Sequence, residues 1–320
     1  MSTSKKMLFS LFILGGILIL AGCSTTTKMQ PGERVNKKNR AADYASYGSR
    51  YYDEAQYKKA LDFFFLALKE NILVDNDKGI IESYNSIGKT YLAAGKIDSA
   101  ENYYKKAMEI AVVFNDPHLL IRCKNNAGEI FLARKDFASA LSLFNEAYRS
   151  IKNPEKNEDS AVLLHNIGVA QKRLGNYSEA EADLLKALAL NKKRNKIKEA
   201  ALDTYILASL FSKESRYSEA LTYINKALEM DKLIENSYGI AQDLYAKGII
   251  QQKTGALKAA YYTFKRDALV LESLALPSEL INCLEKLEIL AKKLSYPEDL
   301  IIWQKTRINL EKKNGTSTAK

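Results

Sequence analysis

Histidine is nearly absent from this chain. Its 320 residues hold two, His118 and His165, with three cysteines and one tryptophan. Each shortage removes a class of chemistry. Without Cys-x-x-Cys, His-Glu-x-x-His, a Gly-Lys-Ser/Thr loop or Gly-x-Ser-x-Gly, no common zinc, nucleotide or nucleophile site can be assembled. No metal, cofactor or catalytic residue is therefore expected, and the chain reads as a binding protein and not an enzyme. Strand signals are missing too, since no segment alternates apolar and polar residues with period two. The chain reads as all-α.

Long apolar runs are confined to one place. Lys5 and Lys6 precede an almost wholly apolar stretch from Leu8 to Leu20, followed by Leu20-Ala21-Gly22-Cys23. Thirteen apolar residues are too few for a permanent membrane span but suit a secretory signal. The tetrapeptide resembles the lipobox of bacterial lipoproteins. That resemblance implies cleavage after residue 22 and a diacylglyceryl thioether plus N-acyl chain, palmitate among them, on Cys23. In a cell with two membranes, Ser24 at the following position favours the outer one. Several acyl chains matter, because one alone binds only marginally.

Loss of residues 1–22 leaves 46 basic and 38 acidic side chains, net +8. A basic balance invites a nucleic-acid reading, but export argues against it; solvated outer helix faces account for many of the lysines. Residues 23–40 are polar, aperiodic and locally basic (Lys28, Arg34, Lys37, Lys38, Arg40), and are expected to form a flexible tether beside an anionic membrane.

From residue 41 the chain repeats itself. Gly48, Gly88, Gly128, Gly168, Ala208 and Gly248 recur every 40 residues. Twelve residues after each stands an alanine: Ala60, Ala100, Ala140, Ala180, Ala220 and Ala260. Four further on come Phe64, Tyr104, Phe144, Leu184, Ile224 and Phe264, then Ala67, Ala107, Ala147, Ala187 and Ala227, with Asp267 breaking the last series. Small residues facing each other let two helices approach closely, and large ones a turn away fill the surrounding space. Turns are marked by Gly95, Gly175 and Gly255; Asp98-x-x-Glu101 and Ser178-x-x-Glu181 read as capping boxes.

Tyr84-x-x-Ile87-Gly88-x-x-Tyr91 … Ala100-x-x-x-Tyr104-x-x-Ala107 resembles the tetratricopeptide repeat at every position. The resemblance covers residues 41–280 as six repeats and implies a right-handed α-solenoid of antiparallel helix hairpins. The period is 40 where that family's is 34, so the extra residues are expected in the second helix and the connection after it. A degenerate seventh unit over 281–313 carries Trp303 and is expected to cap the stack; 314–320 reads as a disordered tail. Cys123 and Cys283 stand four repeats apart, roughly 30–40 Å at the usual helix spacing. That is too far for a disulfide, so both are expected to be buried thiols.

In this family the first helix of each hairpin lines a concave groove. By register that face holds Asn85, Lys89, Arg122, Asn125, Glu129, His165, Lys172, Tyr205, Tyr245 and Lys253, with Tyr52 at the open end. Such a surface suits a peptide backbone and its acidic groups; for each residue a merely solvated helix face is the alternative. The implied function is a membrane-anchored scaffold of the bacterial envelope holding a partner protein or peptide in its groove. The alternative is a ligand-binding accessory of a transport system, which needs an enclosed apolar pocket between solenoid and cap. The sequence does not fix the oligomeric state.

Overall fold

The computed structural model describes residues 31–317. The signal segment, Cys23 and the first part of the tether lie outside that range. Fourteen helices follow one another: α1 Pro31–Asp53, α2 Tyr57–Leu73, α3 Asp77–Ala93, α4 Ile97–Phe114, α5 Pro117–Ala133, α6 Phe137–Arg149, α7 Ser160–Leu174, α8 Tyr177–Lys193, α9 Ile197–Lys213, α10 Tyr217–Leu233, α11 Ser237–Lys253, α12 Leu257–Ser273, α13 Pro277–Lys293 and α14 Pro297–Ser317. There is no strand among the described residues. Each helix packs on the next, and α1, α3, α5, α7, α9 and α11 also touch in series. The fold is an α-solenoid of antiparallel hairpins, with these odd-numbered helices on the inner side.

Nine of these fourteen helices have 17 residues, and most of the turns between them have three. Except after α6, the connection between hairpins is thus no longer than the turn within one, and the added length lies in helix, against the expectation of a longer connection. Two segment boundaries also move. Residues 31–40, expected as tether, form the start of α1, and residues 314–317, expected as tail, end α14.

The turns obey a period of 20. Ala55, Asp75, Gly95, Asn115, Lys135, Gly175, Asn195, Ser215, Glu235, Gly255, Ala275 and Ser295 all have positive φ. This one left-handed residue, and not a capping box, ends most helices. Asp98 and Glu101 make no cap; both accept from Arg134, at 3.2 and 2.7 Å. Ser178 likewise does not cap α8, whose N-cap is Asn176 with no side-chain bond. Side-chain caps occur at Asp116, Asp136 and Asn236. Pro117 and Pro277 occupy first turns, where proline is tolerated.

The period fails once. Position 155 should carry a left-handed turn, but α6 ends at Arg149 and residues 150–159 form a loop. Pro154 explains the stop, since a proline clashes with the preceding helical turn and disfavours helix at Asn153. Arg194 holds the loop by donating to the carbonyls of Glu155 and Asn157, at 2.8 and 2.9 Å.

Inside each hairpin the side chain 16 residues on lies across the glycine. A Cβ on Gly128 would stand 2.4 Å from Phe144 Cε1; on Gly88, 2.6 Å from Tyr104. The alanine twelve residues on contributes only a backbone oxygen at 3.3 Å beside Gly88. The ring, more than the facing alanine, is what demands glycine. Cys123 and Cys283 are separate, buried and free. Trp303 is half-buried, donating to the Tyr261 hydroxyl at 3.2 Å, while Tyr261 donates to Asp299. It fastens the cap and is not an exposed docking anchor.

Two substitutions of opposite sign test this geometry by chemical denaturation. Gly128→Ala should cost about 1–3 kcal/mol through overpacking against Phe144. Lys135→Gly relieves a left-handed lysine in open solvent and should stabilise by about 1 kcal/mol. A neutral Gly128→Ala would remove the ring contact as the determinant of the register.

Candidate functional site

The inner helices form a continuous trough. Its widest part, a cavity of about 680 Å3, lies where the 150–159 loop departs from the period, bordered by Lys89, Arg122, Lys156, His165, Arg194, Lys196 and Asp203. Lys89, Glu199 and Leu202 lead from there into a second hollow of about 290 Å3, whose wall includes Tyr52, Asp53, Tyr57, Lys198, Tyr205, Tyr238 and Asp243. Tyr205, Tyr238 and Gln242 continue into a third of about 250 Å3, bounded by Tyr245, Asp267, Glu279 and Asn282.

The second hollow exists because the superhelix returns on itself. The turn between α1 and α2 reaches the starts of α9 and α11: Asp53 pairs with Lys198, and the Tyr57 and Tyr238 hydroxyls share a hydrogen bond. Burial pushes the Tyr52, Tyr57 and Tyr238 hydroxyls above the ordinary phenol range, so all three stay neutral donors.

Six of the eleven groove residues expected from register line this trough: Tyr52, Lys89, Arg122, His165, Tyr205 and Tyr245. The other five are tied up between or within inner helices. Asn126 donates to Asn85 at 2.6 Å, and Asn166 to Asn125 at 2.8 Å, each across one repeat. Asn125 donates to Glu129 at 3.0 Å; Tyr104 approaches the same carboxyl at 3.4 Å, and burial raises its pKa. Lys172 donates to Ser209 at 2.6 Å and Lys253 to Ser212 at 3.2 Å. Burial, with Arg173 and Lys213 nearby, pulls the Lys172 ammonium down to about 8. Even trough residues are partly engaged. Arg122 donates to Asp159 at 2.8 Å, His165 Nδ1 is 2.7 Å from Asp203, and Lys89 lies over the Tyr52 ring at 5.1 Å. Lys156 and Lys196 remain exposed beside them.

Buried carboxylates were missed from sequence. The end of each second helix meets the start of the next hairpin through two positions twelve apart. Ala111 with Cys123, Ile151 with Leu163 and Leu271 with Cys283 fill this contact apolarly. Elsewhere it is polar: Asn71 donates to Ser83 at 3.2 Å, and Asn191 to Asp203 at 2.8 Å. In the remaining unit Asp231 faces Asp243, and Asn236 donates to Asp231 at 2.9 Å. Three aspartates, Asp203, Asp231 and Asp243, in a column that is otherwise neutral were the available signal.

Two buried carboxyls side by side cannot both ionise cheaply. Burial raises Asp243 to about 8, helped by Asp231, to which the protonated carboxyl donates. Asp231 is raised as well, again chiefly by burial, while Asn236 and Lys198 oppose the shift. An unfolded aspartate titrates near 4. Between about pH 4 and 8, then, the native state holds a proton that the unfolded chain has lost, and stability falls as pH rises through that window. Asp243→Asn keeps the donor and removes the titration. It should raise the melting temperature at pH 8 by at least about 2 °C and flatten the decline from pH 5.5; an unchanged slope would show that the pair does not share a proton.

Profiles of the tetratricopeptide repeat match residues 79–153, 125–193 and 165–233. No curated protein matches the chain. Among solved structures, the Rap conjugation gene regulator of the plasmid pLS20 in complex with the Phr* peptide is similar at TM-score 0.65 and 16% identity, over 97% of this chain and 87% of that one. A Rap protein complexed with Competence and Sporulation Factor gives 0.62 and 18%, over 86% and 75%. Aspartyl phosphate phosphatase F from Bacillus subtilis gives 0.57 and 16%, over 97% and 85%. At such identities the likeness is one of fold. The chain contains tetratricopeptide repeats, and its solenoid is of the kind built from them.

Proposed function

We propose that this protein is a non-catalytic adaptor, anchored through acylated Cys23 to a bacterial envelope membrane, which holds a segment of a partner protein or peptide in its trough. The outer membrane is the favoured site in a cell with two, and the acyl chains are the only non-protein groups required. The observation that carries the binding reading is the trough itself. Inner helices are cross-linked by Asn85, Asn125, Lys172 and Lys253, so the wall is held before a ligand arrives. Unspent cations at Lys156 and Lys196 stand at its widest point. Two proteins of similar fold are complexed in their structures with a peptide or a factor. The transport-accessory reading needed an enclosed apolar pocket at the cap. The hollow there is open to solvent and mixes Leu271 and tyrosines with Asp267, Glu279 and Asn282, so it is not an enclosed, wholly apolar pocket, which favours the adaptor.

Crosslinking in intact cells followed by affinity capture should yield one stoichiometric protein partner. Lys156→Glu with Lys196→Glu should cut its recovery at least about tenfold, without shifting the melting temperature, since surface substitutions rarely do. This pair is a cleaner test than Arg122, whose guanidinium secures Asp159. Undiminished capture by the double variant would move the binding site out of the trough.

A further inference from the structure

The ends of α2 and α4 leave an apolar ridge in solvent. Ile72 and Leu73 close α2; one repeat later, Val112, Val113 and Phe114 close α4. All five are exposed, Val113 to 87%. The equivalent positions of the next two hairpins are Lys152 and Asn153, then Lys192 and Lys193. Among the described residues the equivalent positions carry one further exposed apolar tip, Leu233 beside Lys232, so the run of adjacent apolar tips belongs to the first two hairpins.

Its place relative to the chain's N-terminal side is fixed by α1. Arg40 of α1 bonds Glu70 of α2 at 3.1 Å, and the two helices run antiparallel from the turn at residues 54–56. Residues 31–36 therefore project beyond the end of α2, by roughly 9 Å at 1.5 Å per residue. They do so at the edge that bears the ridge. Seven residues lie between Cys23 and Pro31, eight steps with a reach of at most about 29 Å. The opposite edge, with the turns at 94–96 and 134–136, is a further helix length away, about 25 Å.

We infer that this ridge rests on the lipid surface to which Cys23 is anchored, and so presents the solenoid edge-on to the membrane. The inference rests on the lipid-anchor reading. Branched and aromatic tips protruding from a folded surface gain by entering the acyl boundary, and a short anchor makes the encounter intramolecular. Exposed Asp75, Asp77, Lys69 and Lys78 border the ridge, which keeps the contact shallow.

The full chain, processed in a bacterial host, serves for the test. Acylation of Cys23 is read by mass and by membrane fractionation. Val113→Cys is labelled with an environment-sensitive dye, with Lys135→Cys on the far edge as control; Cys123 and Cys283 are buried and do not compete. The protein is reconstituted into vesicles of phosphatidylethanolamine and phosphatidylglycerol carrying doxyl-labelled lipid. Quenching at 113 should exceed that at 135 by at least about twofold, as expected for a group entering the headgroup boundary. Equal quenching on an acylated, membrane-bound chain overturns the ridge contact and leaves the anchor standing. An unacylated chain in the soluble fraction overturns both. A concentration-dependent blue shift at 113 without vesicles would make the ridge an interface between copies, and would overturn the inference as well.

Discussion

One contact sets the scale of everything else: an aromatic or leucine side chain lying across a glycine on the facing helix. At Gly48, Gly88, Gly128, Gly168 and Gly248 there is no room for a methyl group beneath Phe64, Tyr104, Phe144, Leu184 and Phe264. Only opposite Ile224 does the position carry alanine, Ala208. Because this contact recurs with one spacing, each hairpin closes at the same distance and meets its neighbour at the same angle. A solenoid is the sum of such identical steps. After about one superhelical turn the sum brings the tip of the first hairpin against α9 and α11, where Asp53 meets Lys198 and Tyr57 meets Tyr238. The enclosed part of the trough is thus a distant consequence of a glycine under a ring.

The period, the hairpins and the burial of Cys123 and Cys283 were legible in the sequence because local spacing determines them. Caps were misread for a related reason. Asp98 and Ser178 had the residue types of a capping box, but a left-handed residue three positions earlier already ends one helix and starts the next. Glycine at 95, 175 and 255 announced that turn; lysine, serine and alanine at the equivalent positions concealed it. Closure was not legible at all, since it accumulates over five repeats and no single segment encodes it. The candidate groove was legible by face but not by availability. Register places Asn85 and Asn125 on the inner side, and cannot say that Asn126 and Asn166 will consume them.

Departures from the repeat coincide with the features that can recognise something. Pro154 shortens α6, and the resulting loop borders the cavity of about 680 Å3. Asp243, like Asp203 one repeat before it, stands where the other units carry serine, cysteine or leucine, and faces the second hollow, while Asp267 replaces alanine and borders the third. Burial raises both carboxyls, to about 8 and about 7, so they face a ligand as neutral acids below those values. A uniform array would offer a uniform wall. Here five cations border the cavity beside the 150–159 loop, together with Glu158, Asp159, Glu199 and Asp203, whereas the hollow toward the cap carries Asp267 and Glu279 and no cation. A partner segment lying along the trough would therefore meet two chemically different ends, which gives it a direction as well as a place. That polarity follows from three substitutions in an otherwise repetitive chain, each of which spends some stability on a feature the stack does not need.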